Sequence, residues 1–113
     1  MINKIETASE KFFNKLQQKI EIAQKENKPI KDLVKQQIKL LQEAHDEFVL
    51  TAKNRGYDSS NPIVGKVEIQ QYSAMKALAK KIGLPVEEYD ELIKNVKIRV
   101  LGEENYKRFF EQK

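Results

Sequence analysis

The chain has 113 residues, enough for one domain with a single core and too few for two. Its 21 Lys and Arg against 17 Asp and Glu leave a net charge of +4, mildly basic and well short of a protein that coats nucleic acid. There is no cysteine, which removes disulfides, thiolate metal sites and thiol nucleophiles and fits an intracellular chain.

The first predicted helix runs from about Asn3 to Lys25, with Ile5, Phe12, Leu16, Ile20 and Ala23 on one stripe at helical spacing. Thr7 and Glu10 are spaced as a capping box, which would move the start to Thr7. Met1 to Glu10 mixes charged and apolar residues and does not read as a signal peptide. After the Glu26-Asn27-Lys28 turn, a second helix is expected from Pro29 to Arg55, with Leu33, Val34, Ile38, Leu41, Ala44, Phe48 and Ala52 inward and Gly56 as its stop. Pro62 then fixes its own φ and holds Asn61 extended, so the chain enters the next helix from a loop. That third helix is expected over about Lys66 to Ile82, on a stripe of Val67, Gln71, Met75, Leu78, Ala79 and Ile82.

Gly83 supplies a left-handed stop, and Pro85 suits the first turn of a fourth helix over about Val86 to Val100. Val86, Tyr89, Leu92, Ile93 and Val96 face inward there, while Val96 to Leu101 is rich enough in β-formers that a short strand competes. Beyond Gly102, Glu103 to Gln112 offers a last short helix carrying Tyr106, Phe109 and Phe110. No internal repeat or low-complexity segment interrupts this order, and no apolar run approaches the roughly 20 residues that span a bilayer. The fold class is therefore all-α, a hairpin of two long helices with two or three shorter ones.

The second helix would be about 39 Å long, more than a compact small domain spans. It must pair with another long helix or project, and since the first helix is nearly as long and joins it through a short turn, an antiparallel hairpin is the economical solution. Ile22, Ile30, Leu40, Val49 and Leu50 lie off the main stripes, and either the later helices cover them or they form a subunit interface. Charge clusters in a similar way. Lys53 and Arg55 end the second helix, Lys66 opens the third, and Lys76, Lys80 and Lys81 lie on or beside one of its faces. These residues are either a solvated surface, with the C-terminal lysines set against the helix dipole, or contacts to phosphate. Lys4, Lys11, Lys15 and Lys19 make a second stripe on the first helix. No helix-turn-helix signature points to base-specific readout.

Catalytic parts are missing. His45 is the only histidine, and Glu43, Asp46 and Glu47 give it no metal-ligand spacing with a second soft ligand, so a surface or half-buried position is expected. Without Cys, a second His or a glycine-rich phosphate loop, neither enzyme activity nor a cofactor or metal is expected. Glu87, Glu88, Asp90 and Glu91 fall in the first turn of the fourth helix, where they complement its dipole or form a docking patch for a basic partner.

The run from Asn61 to Pro85, NPIVGKVEIQQYSAMKALAKKIGLP, resembles the phage terminase small-subunit family. In one branch of that family an Asn-Pro or His-Pro pair precedes a helix with spaced Ala/Met/Leu-Ala residues that ends in Gly-Leu-Thr-Pro. The matching residues are Asn61, Pro62, Ile63, Val64, Gly65, Ala74, Met75, Leu78, Ala79, Ile82, Gly83, Leu84 and Pro85, and the likeness extends over roughly residues 30 to 93. It departs after the turn. The family has Thr or Ser before the Pro and an Arg-containing segment after it, where this chain has Leu84-Pro85-Val86-Glu87-Glu88-Tyr89. The resemblance implies a bacteriophage protein of the host cytoplasm, a non-catalytic adaptor that forms a cyclic homo-oligomer. It would bind double-stranded DNA and present it to the large terminase subunit, which holds the ATPase and nuclease of viral genome packaging. Lys53, Arg55, Lys66, Lys76, Lys80 and Lys81 would then touch DNA. The rival reading is a helical protein-interaction module or regulator of phage or plasmid origin that never touches nucleic acid.

Overall fold

The computed structural model describes residues 8–110, with the side chains of residues 11–110. Every regular element among them is helical: α1 (Ala8–Lys25), α2 (Lys31–Asn54), α3 (Pro62–Lys81), α4 (Glu87–Leu101) and α5 (Glu103–Phe110). Thr7 and Ile5, and with them the capping box, lie outside the described residues, as do Lys4 and Gln112.

The helices end where backbone chemistry lets them. Asn27 adopts φ 55°, which asparagine tolerates better than most residues, and closes α1. Its amide donates to Gln24 O while Lys28 N donates to Ala23 O, the paired bonds of a Schellman turn. Gly56 repeats that arrangement after α2, with Gly56 N donating to Lys53 O and Tyr57 N to Ala52 O. The expected hairpin of α1 on α2 follows from this tight turn.

Helix α3 begins four residues earlier than expected. Asn61 stays extended and caps the helix, its side-chain oxygen accepting from Ile63 N at 2.8 Å and Val64 N at 3.4 Å. Pro62 fills the first helical position, where the missing N–H costs nothing. At the other end the competing strand does not form, and Val96 to Leu101 remain in α4. These β-branched residues are helical because one side of the helix packs against α3, and packing outweighs a propensity difference of a few tenths of a kcal/mol per residue.

The core is split by an open layout. Among the described residues α1 packs only on α2, α2 on α3, α3 on α4, and α5 only on α4. The radius of gyration is 16.7 Å, against about 13 Å for a compact chain of this size. Leu16, Ile20 and Val34 are buried between α1 and α2, and Gln37 joins them, donating from Nε2 to Gln17 Oε1 at 3.1 Å. Tyr72, Met75 and Val96 form the other centre, between α3 and its neighbours. Phe12, expected inward on α1, is 50% exposed, because only α2 lies beside that helix. Ile22, Val49 and Leu50 are likewise left uncovered.

The buried stripe of α3 also differs from the expected one. Met75 and Ala79 are buried as anticipated, but Val64, Gly65, Glu68 and Tyr72 take the places expected for Val67, Gln71, Leu78 and Ile82, which are half-buried. Helix α3 lies between α2 and α4, so it hides two flanks instead of one narrow face. Gly65 makes the second flank close: a Cβ there would sit 2.5 Å from Val100 Cγ2.

Candidate functional site

The six cations singled out by sequence fall at two ends of α3. Lys53 and Arg55, at the close of α2, and Lys66, near the start of α3, share one end; Lys76, Lys80 and Lys81 occupy the other. Lys66 and Lys80 are separated by about 21 Å along the helix axis. They do not form one patch within a single chain.

The two ends differ electrostatically. Lys76 is held by Asp90 of α4 at 2.5 Å, so its charge is already answered. Lys80 and Lys81 sit in the last turn of α3, favourably placed against the helix dipole. The turn after them leads to Glu87 and Glu88 in the first turn of α4, where acidic residues are equally well placed, and neither lysine makes an ion pair among the described residues.

Lys53 and Arg55 make no ion pair among the described residues. Both are exposed, and each lines a separate groove at the α2–α3 corner. The Arg55 groove, about 270 Å³, has apolar walls that include Phe48, Tyr57 and Ile63. The Lys53 groove, about 290 Å³, is walled by Val49, Tyr57 and Val64 and reaches Glu68 and Arg99. In the loop between α2 and α3, Asp58 accepts from Ser60 N and Ser60 Oγ at 3.0 Å. The Ser60 backbone amide, and then its hydroxyl, hold that carboxyl below the usual aspartate range.

Beneath this corner lies a polar network that the sequence reading missed. His45, expected at the surface or half-buried, is 7% exposed. Its Nε2 lies 3.1 Å from Glu68 Oε1, and its ring packs against Tyr72 with centroids 4.5 Å apart. Glu68, itself 4% exposed, uses its other carboxylate oxygen to accept from the Arg99 guanidinium. Arg99 Nε in turn donates to Ser59 O at 2.8 Å. One buried carboxylate thus ties α2, α3, α4 and the α2–α3 loop together. Burial first, and the neighbouring Glu68 charge second, raise the Tyr72 hydroxyl above its ordinary pKa.

The signal for this network was present as spacing. Val64, Glu68, Tyr72, Met75 and Ala79 recur at helical intervals, but two of the five are polar, and an apolar template passes over them. The network fits scaffolding better than chemistry. Both carboxylate oxygens of Glu68 are engaged, and no group of three or more metal-binding side chains occurs among the described residues. No helix among them is long and apolar enough to cross a membrane.

Comparison of the chain with protein-family models, with curated proteins and with solved structures gave no match.

Proposed function

We propose that this chain is a terminase small subunit, a non-catalytic, self-assembling adaptor that binds double-stranded DNA through phosphate contacts and delivers it to the large subunit for packaging. The observation that carries the reading is the Asn61–Pro85 unit: an Asn-capped, Pro-started helix closed by Gly-Leu-Pro, the segment on which the family resemblance rests.

Two further features support it. The open layout leaves Phe12, Ile22, Val49 and Leu50 exposed on α1 and α2, which suits a subunit of a larger assembly. Lys53 and Arg55 stand at the rim of a corner braced by Glu68 and Arg99, which suits phosphate contacts made from a rigid frame. Binding through phosphates is weak per subunit, indifferent to sequence and sensitive to salt. Several subunits presenting the same pair of cations make the total contact substantial.

Sedimentation velocity at micromolar protein, with and without a duplex at low salt, tests both parts. The proposal predicts one discrete oligomer that co-sediments with DNA. A discrete oligomer that ignores DNA even at low salt would favour the helical interaction module in its place.

A further inference from the structure

Charge is unevenly spread along the α3–α4 hairpin. At its base, where α3 begins and α4 ends, a groove of about 400 Å³ has Gly65, Ile69, Val100 and Leu101 in its walls and Lys66 and Lys97 among its lining residues. The groove is apolar because Gly65 carries no side chain and Val100 comes within 2.5 Å of where its Cβ would be. Lys97 is pre-placed: its ammonium lies 4.8 Å from the centre of the Phe110 ring, which stacks on Tyr106 at 5.1 Å. Neither Lys66 nor Lys97 pairs with a carboxylate among the described residues. Two uncompensated cations therefore flank an apolar slot.

The tip of the same hairpin carries the complement. Gly83 turns the chain with φ 75°, and the connection that follows presents Leu84 and Val86, both half-buried, and Pro85, exposed. Glu87, Glu88 and Glu91 come next, all exposed, while Asp90 is occupied by Lys76; Lys80 and Lys81 stand before the turn, at the end of α3, so the carboxylates edge the α4 side of the tip. An apolar turn edged with carboxylates is what a slot edged with ammonium groups would accept.

We infer that the α3–α4 tip of one copy seats in the base groove of a second copy, Leu84, Pro85 and Val86 entering the slot and Glu87, Glu88 and Glu91 meeting Lys66 and Lys97. The contact rests on the self-assembling reading above and names one of its subunit contacts, apart from the exposed apolar residues of α1 and α2. Because the two patches differ, the contact is heterologous and repeats head to tail. The slot is short, about 12 Å from Pro62 to Gln70 along α3, which suits a turn better than a long helix. Duplex DNA is the poorer occupant, since a phosphodiester offers little to bury in an apolar slot. Complementary charge fixes the direction of docking more than its strength.

Charge reversal in the full chain tests this, with sedimentation as the readout and circular dichroism as the check on folding. Lys66→Glu with Lys97→Glu should raise the concentration needed for assembly by about tenfold or more, as should Glu87→Lys with Glu88→Lys and Glu91→Lys. Combining all five changes in one chain should restore assembly, because the complementarity is re-created with its signs exchanged. Raising salt on the unmodified protein should weaken assembly without any substitution, as rim charges are screened within about 10 Å at 0.1 M. If the wild-type oligomer survives both reversals and high salt, the groove and tip are not the interface, while self-assembly itself stands. A wild-type chain that stays monomeric throughout would remove the contact and the assembly together. If duplex DNA, and not a second copy, protects Lys66 and Lys97 from acylation, the groove is a nucleic-acid surface and the inference falls.

Discussion

Replacing Glu68 by Ala should be among the most damaging single changes at the α2–α3 corner. It removes the only hydrogen-bond partner that the buried His45 ring has among the described residues, where Nδ1 already has none, and leaving a buried polar group unsatisfied costs about 1–3 kcal/mol. It also removes a charged hydrogen bond to Arg99, worth about 1.5–3 kcal/mol when both groups are buried. Arg99 is 36% exposed and can turn to water, so the low end applies to that part. The total is about 3 kcal/mol, a large share of the roughly 5–15 kcal/mol that stabilises an ordinary domain. Glu68→Gln keeps one acceptor oxygen for His45 but turns its amide NH2 toward the Arg99 donor, so it loses the charged hydrogen bond to Arg99 and should cost about 1–2 kcal/mol. Urea unfolding of both variants measures the difference. A Glu68→Ala protein within about 0.5 kcal/mol of wild type would refute the network as a structural tie.

Three other outcomes are expected. Gly65→Ala drives a methyl against Val100 and should destabilise by about 1–3 kcal/mol, and adding Val100→Ala should recover part of the loss; thermal unfolding of the single and double variants decides. Tyr72 and Tyr89 both have raised hydroxyl pKa values, chiefly through burial, so their stabilising effect is complete below the unfolded value near 10. It should be lost as pH rises from there through the folded values, and Tyr72→Phe should blunt the alkaline loss seen by circular dichroism. Ile22→Ser with Leu50→Ser, both on exposed side chains, should leave unfolding within about 0.5 kcal/mol of wild type while weakening assembly in sedimentation.

Much of this fold could be read from apolar spacing and from Gly and Pro punctuation. The long hairpin, the stops at Gly56 and Gly83 and the burial of Leu16, Ile20, Val34, Met75 and Val96 all follow from those two signals. What could not be read was decided by tertiary contact. Phe12 fits the α1 stripe, yet exposure depends on which helices reach α1, and only α2 does. Glu68 and His45 look like surface residues until α4 supplies Arg99 and α3 supplies the wall that shuts water out. Lys66 and Lys80 belong to one cluster in sequence and to opposite ends of a helix in space, because a continuous helix sets them about four turns apart. Lys97 drew no notice, since its significance comes from Phe110 beneath it and Gly65 across the groove.

The central claim is that this chain holds DNA by phosphate contacts from the α2–α3 corner, and the salt dependence of duplex binding tests it most directly. Affinity should fall linearly with salt on logarithmic axes, and Lys53→Gln with Arg55→Gln should weaken binding and flatten the slope by about 1 for each cation in contact. Neutralising Lys11, Lys15 and Lys19 on α1 serves as the control of similar charge at another site and should leave the slope nearly unchanged. If the α1 changes abolish binding while the corner changes leave slope and affinity intact, the phosphate contact is not at the α2–α3 corner and the claim fails.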